Sequence, residues 1–242
     1  MTFDVVTLFP GMFSGPLADG MLGRARREGR VGVRLHDLRR WGIGSHRQVD
    51  DATYGGGGGM VLRPEPLFAA VEWIRERFPA SPDRVLLLSP QGTRLGHDVA
   101  KRLAGFERLV LLCGRYEGVD ERVREALADE EVSVGDVVLT GGEIPALAVI
   151  DAVSRFVPGV LGRQEAAERD SFSTGGLDFP HYTRPARFRE LEVPGILLSG
   201  DHEAVERWRA ARAAEATRTK RPDLIDEFSK GTAPLGRERG SS

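Results

Sequence analysis

The stretch Ser133–Arg155, SVGDVVLTGGEIPALAVIDAVSR, decides the fold class. The run Asp136 to Thr140, centred on Val137, Val138 and Leu139, reads as a buried strand that stops at Gly141-Gly142, and helical spacing starts at once with Glu143 and Pro145. Proline suits a first helical turn, where its missing N–H would have no partner, and Ile144, Leu147, Ala148 and Ile150 to Val153 recur at helical period. Strand, tight turn and helix are therefore predicted. Two glycines at the carboxyl end of a strand are expected to let a ligand approach the backbone where a Cβ would clash. The helix carries Asp151 and Arg155 near its far end, so the stretch is expected to form one wall of a small-molecule pocket and to supply a catalytic arginine.

Working outward, the same rhythm precedes this stretch. Arg84 to Leu88 reads as a buried strand ending in Ser89-Pro90-Gln91-Gly92, and His97 to Leu103 as a short helix. Arg108 to Cys113 reads as a second strand ending in Gly114-Arg115-Tyr116-Glu117-Gly118, and Asp120 to Ala128 as a helix. Near-continuous apolar strands alternating with helices indicate a parallel sheet covered on both faces, with ligands bound beyond the strands' carboxyl ends. Further upstream, Phe3 to Phe9 and Val31 to Leu38 are predicted strands, with an interrupted helix over Met12 to Ala25. Leu67 to Phe78 is an amphipathic helix stopped by Pro79 and Pro82. Trp41 to Met60 lacks periodicity and ends in five glycines, so a loop is predicted, serving either as a flexible tether or as backbone that wraps a ligand. It is neither a Walker loop nor a dinucleotide fingerprint. Downstream, Val157 to Tyr182 is polar and reads as an interdomain linker. Ala204, Val205, Trp208, Ala211 and Glu215 mark a helix, and Gly231 to Ser242 reads as a frayed end.

Composition narrows the function. The 242 residues are 40% hydrophobic with a formal net charge of −2, enough for one sizeable core and a small second domain. Charge is segregated: Arg24 to Arg47 holds eight arginines against Glu28 and Asp37, Arg207 to Arg221 holds six basic residues against Glu215, and Glu117 to Asp136 holds eight acids against Arg122 and Arg124. Each basic run is either a solvated helix face or part of a polyanion-binding surface, and the acidic run would repel a polyanion. The single cysteine, Cys113, excludes an internal disulfide and points to a reducing cytoplasmic setting; it sits within an apolar strand and reads as structural. No apolar run approaches the roughly 20 residues of a membrane span, no export signal is read, and the five histidines show no zinc spacing.

The strings TLFPGMF, HRQVDDATYGGGGGM, LLLSPQG, LLCGRYEGVDERV, SVGDVVLTGGE, IDAVSRFVPGVLG, RDSF, HYTRP and LLSGDH, in this order from about Thr7 to Trp208, resemble the bacterial tRNA (guanine-N1)-methyltransferases. The resemblance implies an α/β fold: a SPOUT-type parallel sheet with a deep C-terminal trefoil knot, followed by a small all-α C-terminal domain. It implies a knotted S-adenosylmethionine-binding domain over 1–160, a flexible linker over 161–182 and a helical tRNA-binding domain over 183–242. The enzyme would be a cytoplasmic homodimer that methylates guanine at tRNA position 37. Cofactor contacts would fall on Leu88, Ser89, Pro90, Gly114, Tyr116, Glu117, Val134, Gly135, Asp136, Val137, Val138, Leu139, Gly141, Gly142 and Pro145. Asp170 and Arg155 would be the catalytic pair, with Asp170 reaching the partner's pocket. The family's activity is also linked to magnesium, through Glu117 or through RNA folding, although no metal ligands are assigned. Leu87 stands where the family often has tyrosine, and Gly58 where it usually has proline, which removes one aromatic contact and loosens the glycine loop.

The chemistry agrees with those roles. Guanine N1 is protonated at neutral pH, so a carboxylate must take that proton, and a fixed guanidinium stabilises the charge that spreads onto O6. From spacing alone, Asp170 reads rather as a cap before Ser171-Phe172 and Arg155 as a cation at a helix end, and only the resemblance gives them catalytic roles. Related knotted enzymes that modify another base or a ribose 2′-oxygen, and a non-catalytic RNA-binding module, are the competing readings. His46 and His181 lie in matched loops and are candidates for RNA contact or plain surface histidines.

Overall fold

The computed structural model describes residues 1–56, 58–80, 83–162, 167 and 170–225. Gly57 of the glycine run, Pro82, part of the 161–182 linker and everything from 226, including the predicted frayed end, lie outside the described residues. The chain divides into two compact units, Met1–Gln164 and Glu165–Ser242.

The first unit runs β1 (Thr2–Thr7), α1 (Gly20–Arg27), β2 (Gly32–Asp37), β3 (Asp50–Ala52), β4 (Met60–Leu62), α2 (Pro64–Arg77), β5 (Asp83–Arg94), α3 (His97–Leu103), β6 (Arg108–Cys113), α4 (Glu121–Ala126), β7 (Glu130–Ser133) and α5 (Glu143–Ser154). Five strands form one sheet in the order β2-β1-β6-β5-β7, every neighbouring pair parallel. Successive side chains of a strand face opposite ways. Leu86, Leu109 and Leu111 therefore enter a core with Val149, Ile150 and Val153 of α5. Val85, Leu87, Val110 and Leu112 enter a second core with Leu67, Val71 and Ile74 of α2. Burial on both faces is why these strands read as unbroken apolar runs.

Two ion pairs sit within this apolar frame. The β1–β2 register sets Asp4 opposite Arg34, whose Nε and Nη2 each donate to the Asp4 carboxylate at 2.7 Å, and His36 Nε2 lies 2.7 Å from the same group. Arg108, 1% exposed, donates to the Ile74 and Phe78 carbonyls at the end of α2 and to Asp83 at 2.8 Å. A cation there satisfies the orphan carbonyls of the helix terminus and complements its dipole.

Four local expectations are corrected. Val137 to Leu139 is not a strand. The strand is β7, four residues earlier; it pairs only with β5 at the sheet edge, and Gly135, at φ 148°, then turns the chain away. β5 is longer than predicted because its ladder resumes at Thr93 after a register shift, so Ser89 to Gly92 bulge out rather than end the strand. The Trp41–Met60 segment is not all loop: β3 and β4 pair as a short antiparallel hairpin, three residues per strand being too few to show alternation in sequence. The predicted Met12–Ala25 helix is a 3-10 turn over Pro10–Phe13 followed by α1, which begins only at Gly20.

In the second unit, Asp170 to Gly176 forms a closed turn in which Phe172 N–H donates to the Gly176 carbonyl at 2.6 Å. Leu177 N–H then donates to Thr217 Oγ1 at 2.9 Å, tying the turn to the unit's long helix. β8 (Arg187–Phe188) and β9 (Leu191–Glu192) make a two-residue antiparallel ribbon, and α6 (His202–Lys220) starts where Asp201 accepts the Ala204 N–H at 2.9 Å. The ribbon means that this unit is not purely helical, as had been expected. Among its described residues only Ala167 and Thr217 are buried. No helix among the described residues is long and apolar enough to cross a membrane.

Candidate active site

Three loops converge at the carboxyl ends of β5, β6 and β7 on a cavity of about 220 Å³. The β5 bulge contributes Leu88, Ser89, Pro90 and Gln91. The loop after β6 contributes Gly114 to Val119, and the loop after β7 contributes Val134, Val137 to Gly142 and then Pro145. Of the residues predicted to hold cofactor, Leu88, Ser89, Pro90, Gly114, Tyr116, Glu117, Val134, Val137, Val138, Leu139, Gly141, Gly142 and Pro145 line the cavity, whereas Gly135 and Asp136 do not.

The walls differ in chemistry. Val137, Val138 and Leu139 are 53%, 82% and 40% exposed, an apolar surface left uncovered by the chain. Opposite them Tyr116 is exposed at φ 62°, a left-handed conformation uncommon for a bulky residue, within a turn closed by the Gly118 N–H donating to the Arg115 carbonyl at 3.0 Å. The lining carries Glu117, Glu121 and Glu131 against Arg115 and Arg124; Arg124 pairs with Glu121 and lies 3.9 Å from Glu131, and Arg115 pairs with Glu143, which leaves the rim a small negative excess. Such a pocket suits a ligand with a flat apolar portion and a positive centre.

The glycines also meet a need that the sequence did not indicate. A Cβ on Gly142 would lie 2.6 Å from Cys113 Cα and 3.0 Å from the Gly114 nitrogen, and one on Gly141 would meet the Arg115 guanidinium. The pair admits the neighbouring loop of the protein itself. The glycine run also gains a role: a Cβ on Gly59 would strike the Glu117 side chain, and Glu117 N–H donates to the Met60 carbonyl at 3.0 Å. The run thus leads into a hairpin strand docked on the pocket loop.

Beneath the cavity lies a buried polar cluster that sequence reasoning missed. Glu143 opens α5 fully buried; its Oε1 accepts the Thr7 hydroxyl at 2.7 Å and its Oε2 lies 2.7 Å from Arg115 Nη2. Arg115 Nη1 also donates to the Thr140 carbonyl at 2.9 Å, and its guanidinium stands 4.4 Å over the Phe9 ring. A carboxylate in a first helical turn is favoured by the dipole. The one available signal was an acid and a basic residue each adjoining a glycine loop, Glu143 after Gly141-Gly142 and Arg115 after Gly114. Gln91, Thr140, Glu121, Arg124 and Glu131 of the lining also carried no motif that singled them out.

Arg155 caps the end of α5 and is half-buried, in the first unit. Asp170 is half-buried in the second, where its carbonyl accepts the Ser173 N–H at 3.1 Å and the Ser173 hydroxyl at 2.7 Å; it opens a turn rather than a helix. Burial, reinforced by nearby Glu143, pushes the Cys113 thiol up, so it stays protonated and is no nucleophile. His181 Nε2 contacts Asp178 at 2.8 Å. Among the described residues, no group of three or more His, Cys, Asp or Glu side chains is placed to hold a metal.

The family model described as tRNA (Guanine-1)-methyltransferase TrmD matches residues 1–227. A tRNA (guanine-N(1)-)-methyltransferase of Geobacter sulfurreducens is 53% identical over 225 residues, spanning 93% of this chain and 91% of its own length. Proteins of the same name from Geotalea uraniireducens and Moorella thermoacetica are 51% and 52% identical, over 94% and 93% of this chain and 91% and 90% of their own lengths.

Proposed function

The chain belongs to the tRNA (guanine-1)-methyltransferase family, and from that membership we propose that it transfers the methyl group of S-adenosylmethionine to N1 of guanosine at tRNA position 37, 3′ of the anticodon, giving 1-methylguanosine. The observation that carries this reading is the compact cavity at the carboxyl ends of β5, β6 and β7, with an uncovered apolar wall facing an acidic rim. That donor set fits S-adenosylmethionine, which when bound supplies an electrophilic sulfonium methyl. Leu88, Pro90 and Val137 to Leu139 would hold its adenine, the backbone of Gly114 and Gly141 its polar groups, and Glu117 would face its positive centre.

In this reading Asp170 would accept the N1 proton as the nitrogen lone pair takes the methyl carbon, the carbon–sulfur bond breaking with its electron pair left on the departing neutral thioether, and Arg155 would stabilise the charge developing on O6. The second unit has almost no buried side chains among its described residues, so a second copy of the chain is the natural source of covering surface. We therefore place Asp170 of one subunit against Arg155 of the other, neither of which lines the cavity within the single chain, in a cytoplasmic homodimer. A trefoil knot where β7 leads into α5 is proposed from the family membership. Magnesium is proposed as a requirement of the reaction without a ligand assignment.

Labelled methyl transfer to a tRNA transcript with guanosine at position 37, and to the same transcript with adenosine there, tests the reading. Label confined to the first and recovered as 1-methylguanosine supports it; equal label on both, or label on a ribose oxygen, rejects the base assignment.

A further inference from the structure

The second unit contains a cavity of its own, about 430 Å³, between the segment Phe179–Ala186 and the start of α6. Its lining is aromatic and cationic: Phe179, Tyr182 and Trp208 present rings, Arg184 and Arg209 guanidinium groups. Tyr182 is half exposed, and its ring centroid lies 6.3 Å from that of Trp208 at an interplanar angle of 54°. Arg209 stands 4.9 Å over the Phe179 ring; its Nη1 donates to Glu206 at 2.6 Å, while its Nε is buried without a hydrogen-bond partner. Rings without acidic neighbours in the lining, flanked by guanidinium groups, match the chemistry that binds an unpaired nucleotide: stacking for the base, charge for the phosphate.

We propose that this groove is a nucleotide cradle, in which one unpaired base of the tRNA substrate stacks on the open face of Tyr182 beside Trp208, and its phosphate is held by Arg184 and Arg209. The proposal rests on the reading of tRNA as substrate. The tilt between the two rings leaves no parallel slot, so the base lies on one face and does not intercalate. Charge complementarity favours RNA over a second copy as occupant: Arg184 and Arg209 line the groove with no acid in the lining, and along α6 Arg207 and Arg212 pair with Glu203 and Glu215 while exposed Arg218 and Lys220 extend the basic face.

Trp208 is one of three tryptophans. Trp41 and Trp73 pack on each other at 5.7 Å in the first unit, so replacing both by Phe in the full chain leaves Trp208 as the sole reporter while keeping aromatic packing. Titration with the guanosine-37 transcript is expected to quench Trp208 emission, whereas a fully paired RNA hairpin of similar length is not. Tyr182→Leu and, separately, Arg184→Gln are expected to raise the Kd for the transcript about tenfold, the loss of one stacked base or its phosphate contact, with S-adenosylmethionine binding unchanged. Circular dichroism of both variants checks that α6 remains folded. Emission insensitive to the transcript, quenching that follows protein concentration rather than RNA, or unchanged Kd in both folded variants overturns the cradle. If the parent chain still methylates the transcript in that event, only the cradle fails; if it does not, the substrate reading fails with it.

Discussion

The carboxylate of Glu143, fully buried at the first position of α5, lies 2.7 Å from the Arg115 guanidinium. Glu143 Oε2 and Arg115 Nε have no aligned hydrogen bond, so charge and proximity hold the pair, while Thr7 satisfies the other carboxylate oxygen. Removing one member leaves a buried charge without a partner, which costs about 3 to 5 kcal/mol. Glu143→Ala is expected to lower unfolding free energy by that order in urea titration. Because Arg115 also holds the Thr140 carbonyl of the pocket wall, Arg115→Met is expected to weaken S-adenosylmethionine binding as well as stability. A variant of either kind with parental stability would show that the pair is dispensable.

Gly142 and Gly114 separate packing from binding. A methyl group on Gly142 would collide with Cys113 and Gly114 backbone, which cannot yield as a side chain would, so Gly142→Ala is expected to cost about 1 to 3 kcal/mol and lower Tm by roughly 2 to 4 °C per kcal/mol. A Cβ on Gly114 meets nothing nearer than 3.7 Å but points into the lining of the cavity. Gly114→Ala is accordingly expected to keep Tm and to weaken cofactor binding about tenfold, read by calorimetry.

Acid should unfold the first unit through two arginine-paired aspartates, Asp4, which is buried, and Asp83, which is half-buried. Burial alone would raise the Asp4 carboxyl, but donation from Arg34 and His36 outweighs it and holds the group below the ordinary value of 3.8; Arg108 and Arg75 do the same for Asp83. A carboxyl depressed in the folded state contributes stability that is fully present above its unfolded pKa and is lost as pH falls through the folded one. Tm is therefore expected to be level near neutrality and to drop below about pH 4. Asp4→Asn, less stable at pH 7, is expected to show a shallower acid decline; a parallel decline would remove Asp4 from this role.

The parallel sheet was legible because its central strands are buried on both faces, leaving Arg84 to Leu88 and Arg108 to Cys113 as unbroken apolar runs. The same logic misassigned Val137 to Leu139, three apolar residues that are uncovered because they wall a pocket. Apolar composition does not distinguish a side chain buried by the protein from one awaiting a ligand. The bulge at Ser89 to Gly92 was invisible because register depends on the partner strand β7, distant in sequence. Glu143 and Arg115 were overlooked for a related reason: their pairing joins residues 28 apart across two loops, and neither lies in a spacing that predicts contact. Asp170 and Arg155 came from resemblance, since their spacing also suits a cap and a helix end.

Complementation between subunits tests the shared-site account most directly. Asp170→Asn and Arg155→Ala chains, each inactive as a homodimer, are mixed, allowed to exchange subunits, and assayed for methyl transfer to the guanosine-37 transcript. If each pocket takes Arg155 from one subunit and Asp170 from the other, every heterodimer holds one intact pocket, and random exchange of equal amounts should restore about a quarter of parental activity. Activity that stays at the level of the separate homodimers after exchange is verified would contradict it.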